Sequence, residues 1–333
     1  MSRQIPASLS WRDVFFRTPG PKTLRQALIL VLKGMCMGAA DTVPGVSGGT
    51  IALITGIYED LLAAVKSANA RMLACLLRFD IKGAAAELHI RFLLALFCGI
   101  GAAVVTLARI MNYLLHHHPQ LTWSLFFGLI AASIWVVGRK VKRWGAGTVV
   151  SFLIGAAAAF QAVRLMPAET PETFGFIFLS GMIAICAMIL PGLSGAFILV
   201  ILGKYEFITA TLKNPLDPVN MGIILVFGAG CIVGLAGFSR VLKFLLDAYY
   251  YLTLAFLTGL MAGSMRKVWP WKEALETKFI GGELRVLQER NVIPDALNSD
   301  VLLAVSLMAI GFAAVIALEK LTDTPTRTGN TAT

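Results

Sequence analysis

The chain has 333 residues, 57% hydrophobic and 14% charged, with a formal net charge of +10 and a mean hydropathy of +0.76. Soluble domains carry roughly a quarter of their residues as charges, so this composition excludes a soluble enzyme and predicts a polytopic membrane protein. The positive surplus then marks cytoplasmic loops, not a nucleic-acid surface.

Residues 1–23 are polar and basic. They predict a cytoplasmic interfacial N-terminus in which Trp11, Phe15 and Phe16 accompany Arg12 and Arg17, not a cleavable signal. An apolar segment runs from Leu24 to Ala40 and ends at Asp41-Thr42. A Pro44-Gly45 turn follows, then a second apolar segment from Val46 to Val65. Residues 66–91 carry Lys66, Arg71, Arg78, Lys82 and Arg91 and predict an amphipathic helix on the membrane surface. Spans are expected at 92–115, which carries Arg109, and at 121–138 and 146–163. A turn from His116 to Gln120 separates the first two, and the basic cluster Arg139, Lys140, Lys142 and Arg143 the last two. After a linker at 164–173, apolar segments recur at 174–190, 191–210, 221–246, 250–265 and 301–318, with a polar insertion at 267–300 and a flexible tail at 321–333.

The second half repeats the first. VPGVSGGTIALITGIYE at 43–59 aligns without a gap with LPGLSGAFILVILGKYE at 190–206. Pro44, Gly45, Ser47, Gly48, Gly56, Tyr58 and Glu59 fall on Pro191, Gly192, Ser194, Gly195, Gly203, Tyr205 and Glu206, and Gly34 falls on Gly181. Further on, Arg109 falls on Arg240, and residues 121–133 on 252–264. The repeats span 24–163 and 174–320, with five segments each. Placing the basic segments in the cytoplasm puts both termini there. An odd number of segments per repeat then turns the second copy upside down, the plan of secondary transporters. The expected fold is an all-α polytopic membrane protein. It has two inverted-topology repeats, with broken or re-entrant helices at Pro44-Gly45 and Pro191-Gly192. Both full spans and re-entrant hairpins fit segments of this length.

Pro-Gly ends one segment and starts another, because a proline at a helix start gives up only an N–H that would be unpaired anyway. The first amides of the new helix then form an anion site. Gly48 and Gly49 bare the backbone, and Ser47 and Thr50 add hydroxyls; Ser194 and Gly195 form the second, drier copy, where Ala196 and Phe197 replace Gly49 and Thr50. The alternative for these glycines is close helix packing. Arg109 and Arg240 suit bidentate phosphate contacts or snorkel to an interface. Asp41 is a candidate coupling or gating acid, or a cap on the nearby helix start. Glu59 and Glu206 are candidates for the same role, or solvated segment ends.

Gly45-x-Ser47-x-Gly49 fits a hydrolase elbow pattern but lacks its strand–turn–helix context. The glycine run lacks the lysine of a P-loop. His116, His117 and His118 sit in a turn, and Cys36, Cys75, Cys98, Cys186 and Cys231 are scattered, so neither metal nor cofactor is expected.

GMCMGAADTVPGVSGGTIALITGIYEDLL at 34–62 resembles the signature of the bacterial membrane family numbered 368 among domains of unknown function, and ILPGLSGAFILVILGKYE fits the same family. The resemblance spans about residues 24–320, and the motif maps onto Asp41, Pro44, Gly45, Ser47, Gly48, Gly49 and Thr50. It implies a transporter, not an enzyme. The implied substrate is undecaprenyl phosphate or a related polyprenyl phosphate, returned across the bacterial cytoplasmic (inner) membrane for cell-envelope polymer synthesis. Membrane lipid is the other expected partner, and a homo-oligomer is allowed. A transporter or channel for a soluble anion is the alternative on the same site. A membrane lipid phosphatase is the alternative of another class, disfavoured because the histidines other than His89 are confined to one turn.

Overall fold

The computed structural model describes residues 18–41, 47–67, 78–165, 170–280, 283–294 and 298–322, with Phe15, Met72, Cys75 and Ala296 besides. Among them, the first half of the chain holds α1 (Leu24–Asp41), α2 (Gly48–Ile54), α3 (Tyr58–Ser67), α4 (Ile81–Glu87), α5 (Ile90–His117), α6 (Pro119–Arg139) and α7 (Ala146–Arg164). The second half holds α8 (Phe174–Ile189), α9 (Gly195–Ile201), α10 (Tyr205–Thr211), α11 (Pro218–Ala248) and α12 (Tyr250–Ser264). An antiparallel hairpin of β1 (Lys272–Ile280) and β2 (Glu283–Asn291) follows, then α13 (Ser299–Thr322).

Local sequence sets the helix ends. Pro119 opens α6 and Pro218 opens α11, where a missing N–H costs nothing. Asp217 caps α11 by accepting from the amides of Val219 and Asn220. Helices α5, α6, α7, α11 and α13 are long and apolar enough to cross a membrane. Their outward faces stay apolar: Val150, Leu153 and Ile154 on α7, and Leu225 and Ile232 on α11, are exposed. Apolar rows of this extent face lipid, not water.

The segment expected at 46–65 is bent. Helices α2 and α3 have 7 and 10 residues and meet at 117°. At about 1.5 Å per residue neither reaches across roughly 30 Å of hydrocarbon. The elbow is Gly56, whose φ is +72°; its repeat partner Gly203, at +62°, turns the chain between α9 and α10. Both values lie where a Cβ is disfavoured.

The halves make matching contacts. Helix α1 packs along α5 as α8 packs along α11. A Cβ placed on Gly34 would fall under 3.0 Å from the carbonyl of Leu96, and one on its counterpart Gly181 equally close to the carbonyl of Phe227, which corresponds to Leu96. Gly99 and Gly230 repeat this against the carbonyls of Val31 and Phe178. The remaining helices cross over between halves: α6 packs on α13 and α7 on α12. Gly128 approaches the carbonyl of Met308 as Gly259 approaches that of Phe152, and Gly311 meets Leu125 as Gly155 meets Phe256. Small residues let membrane helices approach this closely. Each half therefore completes its packing with a helix of the other. The central apolar cluster joins Leu30, Leu53, Leu62, Leu96, Leu246 and Leu257, with the bent pair α2–α3 in its midst.

The insertion 267–300 departs from the all-α expectation by forming the β1–β2 hairpin. Of the amphipathic helix expected over 66–91, residues 68–71, 73, 74, 76 and 77 lie outside the described residues, and the described part is not one continuous helix. Helix α3 continues to Ser67, α4 covers seven residues, and Ile90 and Arg91 already belong to α5. The turn at His116–Gln120 contracts to His118 between α5 and α6.

Candidate functional site

Ser47 precedes α2 in extended conformation, φ −125° and ψ 133°, the geometry of a residue that caps a helix start. Its Oγ accepts from the Gly49 amide at 3.1 Å. The Gly48 amide donates to Asp41 Oδ1 at 2.7 Å, and the Thr50 amide to the Ser47 carbonyl at 2.9 Å. The amides expected to be free are thus held inside the protein. A carboxylate already sits where an anion would bind, the favourable end of the helix dipole. Gly48 must lack a Cβ because Asp41 occupies that space.

The first motif also closes the second break. Ser47 Oγ lies 3.2 Å from the Met188 carbonyl and 3.3 Å from that of Leu190. Tyr58 donates its hydroxyl to the Ile189 carbonyl at 3.1 Å. Thr50 Oγ1 accepts from the Gly192 amide at 3.0 Å. Side chains of residues 47–58 therefore satisfy the backbone groups that α8 exposes where it stops. Left unpaired in a membrane, each would cost several kcal/mol. Gly49 brings the backbones together, since a Cβ there would fall under 3.0 Å from the Ile189 carbonyl. Gly192 has φ +86° and packs on Met261.

The second helix start is built differently. Ser194 is buried and makes no cap bond to the amides of α9. Gly195 lies against the Ala184 carbonyl. The pairing of Ser47 with Ser194 thus holds in sequence but not in hydrogen bonding.

The other candidates lie elsewhere. Arg109 and Arg240 are exposed on α5 and α11, and Arg240 donates to the Ala236 carbonyl on its own helix at 2.7 Å. Glu59 stands 3.6 Å from Lys243, which pairs with Asp247 at 2.8 Å. It lines a cavity of about 260 Å³ with Asp60, Lys140 and Tyr250. Glu206 lies exposed in the first turn of α10. Pro44 and Gly45 lie outside the described residues; Pro191 and Gly192 are buried at the second break.

Three residues of this region were not anticipated. Tyr58, 1% exposed, ties α3 to the end of α8; its repeat pairing with Tyr205 was the available signal. Lys33 donates to the Thr55 carbonyl at 2.6 Å, at the foot of α2. Lys204, 2% exposed, donates to the Thr170 carbonyl at 2.7 Å and lies 5.6 Å from the centre of the Phe207 ring. It stands where the first copy has Ile57.

Among the described residues, no group of three or more His, Cys, Asp or Glu could hold a metal ion.

Residues 37–281 match a family described as undecaprenyl phosphate translocase-like. The chain is 42% identical over 296 residues to a polyprenyl-phosphate transporter of Vibrio cholerae serotype O1, covering 87% of this chain and 95% of the relative. It is 30% identical over 257 residues to a polyprenyl-phosphate transporter of Staphylococcus aureus, covering 73% and 86%. These relatives are named as transporters, not enzymes. No solved structure matches the chain significantly.

Proposed function

Since the chain belongs to the undecaprenyl phosphate translocase-like family, we propose that it carries undecaprenyl phosphate or a related polyprenyl phosphate across the bacterial cytoplasmic membrane. It thereby recycles the lipid for cell-envelope polymer synthesis. The observation that carries this reading is the junction of the two breaks, where Ser47, Thr50 and Tyr58 bind the backbone at residues 188–192. That junction collects hydroxyls, helix-start amides and a carboxylate at the meeting point of two halves with matching contacts.

The two halves are inverted repeats with both termini in the cytoplasm, and the head group crosses by alternating access at their junction. An isoprenoid tail leaves lipid at a cost of about 0.8 kcal/mol per CH₂, so the tail stays in the bilayer and only the phosphate needs shelter. Moving a bare ion into a low-dielectric interior costs on the order of 20 kcal/mol in the idealised limit. One helix start returns at most about 2 kcal/mol. Several groups must therefore converge: Ser47, Gly48, Gly49 and Thr50 from one break, Ser194 and Gly195 from the other, with Arg109 and Arg240 neutralising the phosphate from the two sides in turn.

Asp41 is the gate. Its carboxylate occupies the Gly48 amide in this conformation, and a phosphate held there replaces it. Asp41 therefore substitutes for substrate in the empty carrier, so that the amides are never bare. Glu59 and Glu206, at matching elbows, accompany the bending of α2–α3 and α9–α10 as coupling groups.

The test is head-group translocation in proteoliposomes with Arg109→Ala and Arg240→Ala. Each substitution should slow exchange at least tenfold. If both leave the rate intact, the arginines have no part in carrying phosphate.

A further inference from the structure

The base of the β-hairpin gathers cations and aromatic rings beside the second helix start. Lys272 Nζ lies 3.1 Å, and Lys267 Nζ 3.6 Å, from the same carboxylate oxygen of Glu289. Two ammonium groups on one carboxylate leave one positive charge uncompensated within the cluster. Lys272 also donates to the Lys267 carbonyl at 2.8 Å and stands 4.6 Å from the centre of the Trp123 ring. Lys267 stands 5.6 Å from the ring of Phe197, the third residue of α9 and two positions past Gly195. Trp269 packs edge-on against Phe127, one turn of α6 beyond Trp123, and against Trp271.

One group in this cluster lacks a partner. Trp269 donates its indole N–H to the Val292 carbonyl at 2.8 Å. Trp271 Nε1 is buried and, alone among buried side-chain nitrogens and oxygens of the described residues, has no hydrogen bond. An orphaned buried donor costs about 1–3 kcal/mol and marks a place for an acceptor. Burial pulls the Lys272 ammonium below the ordinary lysine value. Burial would raise Glu289, but Lys267 and Lys272 together hold it below the ordinary carboxylate value. Glu289 is thus an anion held in place by two lysines, much as Asp41 is held by an amide at the first helix start.

We propose that the hairpin base is a docking site for a phosphate monoester with an apolar tail. Lys267 and Lys272 take the head group, Trp271 supplies the unused donor, and Glu289 is the internal anion that the head group displaces. The aromatic wall of Trp123, Trp269 and Phe127 suits the first apolar unit next to the phosphate. Phe197, whose ring stands beside Lys267, then places the docked head group next to α9. This assignment rests on the carrier-lipid reading and names where the lipid enters on the hairpin side.

The experiment is equilibrium binding of farnesyl phosphate to the purified full chain in detergent, with farnesol and inorganic phosphate as the other probes. Wild type should bind farnesyl phosphate more tightly than either. The double variant K267Q/K272Q should lose about tenfold or more in affinity for farnesyl phosphate, with farnesol binding unchanged. Glu289→Gln should bind farnesyl phosphate more tightly, because the competing charge is gone. A merely structural Glu289 would weaken binding instead, and that result overturns the proposal. So does an unchanged affinity in the double variant. If the double variant fails to fold, Trp271→Phe keeps an aromatic ring and removes the donor. It should bind about threefold more weakly, and unchanged binding again counts against the site. Inorganic phosphate binding as tightly as farnesyl phosphate overturns the lipid assignment in favour of a free anion. Wild type that does not prefer farnesyl phosphate to farnesol contradicts the carrier-lipid reading itself, whereas wild-type preference with indifferent variants removes only the docking site.

Discussion

Replacing Thr50 by Val preserves the shape of the side chain and deletes one oxygen. That oxygen accepts the Gly192 amide at 3.0 Å, and Thr50 is 2% exposed. Gly192 cannot turn its amide elsewhere at low cost, because its φ of +86° is set by packing against Met261 and its neighbour is Pro191. Water does not reach the buried pair. The variant therefore leaves a donor unpaired, at a cost of about 1–3 kcal/mol. The loss falls on the junction between the halves, not on a single helix. Two readouts follow it in detergent micelles: the thermal midpoint, expected to fall by several degrees, and hydrogen exchange at the Gly192 amide, expected to accelerate about fivefold or more. A Thr50→Val protein with an unchanged midpoint and unchanged exchange at Gly192 would refute the claim that the first motif secures the second break.

Further expectations follow from the same geometry. Gly99→Ala and Gly230→Ala should destabilise the protein to a similar degree, because each new Cβ collides with the carbonyl of its partner helix, Val31 or Phe178. Gly101→Ala, on the same helix as Gly99 but with nothing within 4 Å of its Cβ, should be neutral or slightly stabilising, by up to about 1 kcal/mol; paired thermal melts compare them. Asp41→Asn replaces a charge-assisted bond to Gly48 by a neutral one, roughly half as strong. A weaker, uncharged internal competitor should lower the KM for polyprenyl phosphate and slow release, seen as reduced turnover in steady-state translocation assays. Glu289 has its folded value held below the ordinary 4.5. The stability it lends is present above the unfolded value and lost as pH falls through the folded one. The hairpin base should hold at pH 7 and at pH 5 and loosen below about 4.5, read as faster hydrogen exchange over residues 272–291 corrected for the intrinsic pH dependence.

Much of the architecture was legible because the repeat constrains it twice. Pro191 and Gly192 fall between α8 and α9, while Pro44 and Gly45 lie outside the described residues, and the alignment of Gly34 with Gly181 anticipated equivalent positions that the structure shows making the same contact. The alignment of 121–133 with 252–264 located α6 and α12, but not their partners. That α6 packs on α13 and α7 on α12 is a tertiary choice that periodicity does not encode. The first helix start is not free, for a physical reason: buried amides seldom stay unpaired, and Asp41 and Ser47 accept them. Arg109 and Arg240 lie several residues before the ends of their segments, so the sequence allows both a phosphate contact and snorkelling, and their exposure depends on which face of α5 and α11 turns outward. The hairpin has a signal in the sequence, since Gly281-Gly282 between two nine-residue runs is a hairpin turn sequence. The high charge of the same stretch gives it the composition of a polar insertion.

The most direct test of the carrier-lipid account is transfer of a polyprenyl phosphate head group between leaflets of proteoliposomes holding the purified chain. It is followed by the fraction of phosphate open to an external phosphatase. The account predicts protein-dependent equilibration that Ser47→Ala slows at least tenfold. A rate no faster than in protein-free liposomes, with and without a pH gradient or a membrane potential, would contradict it.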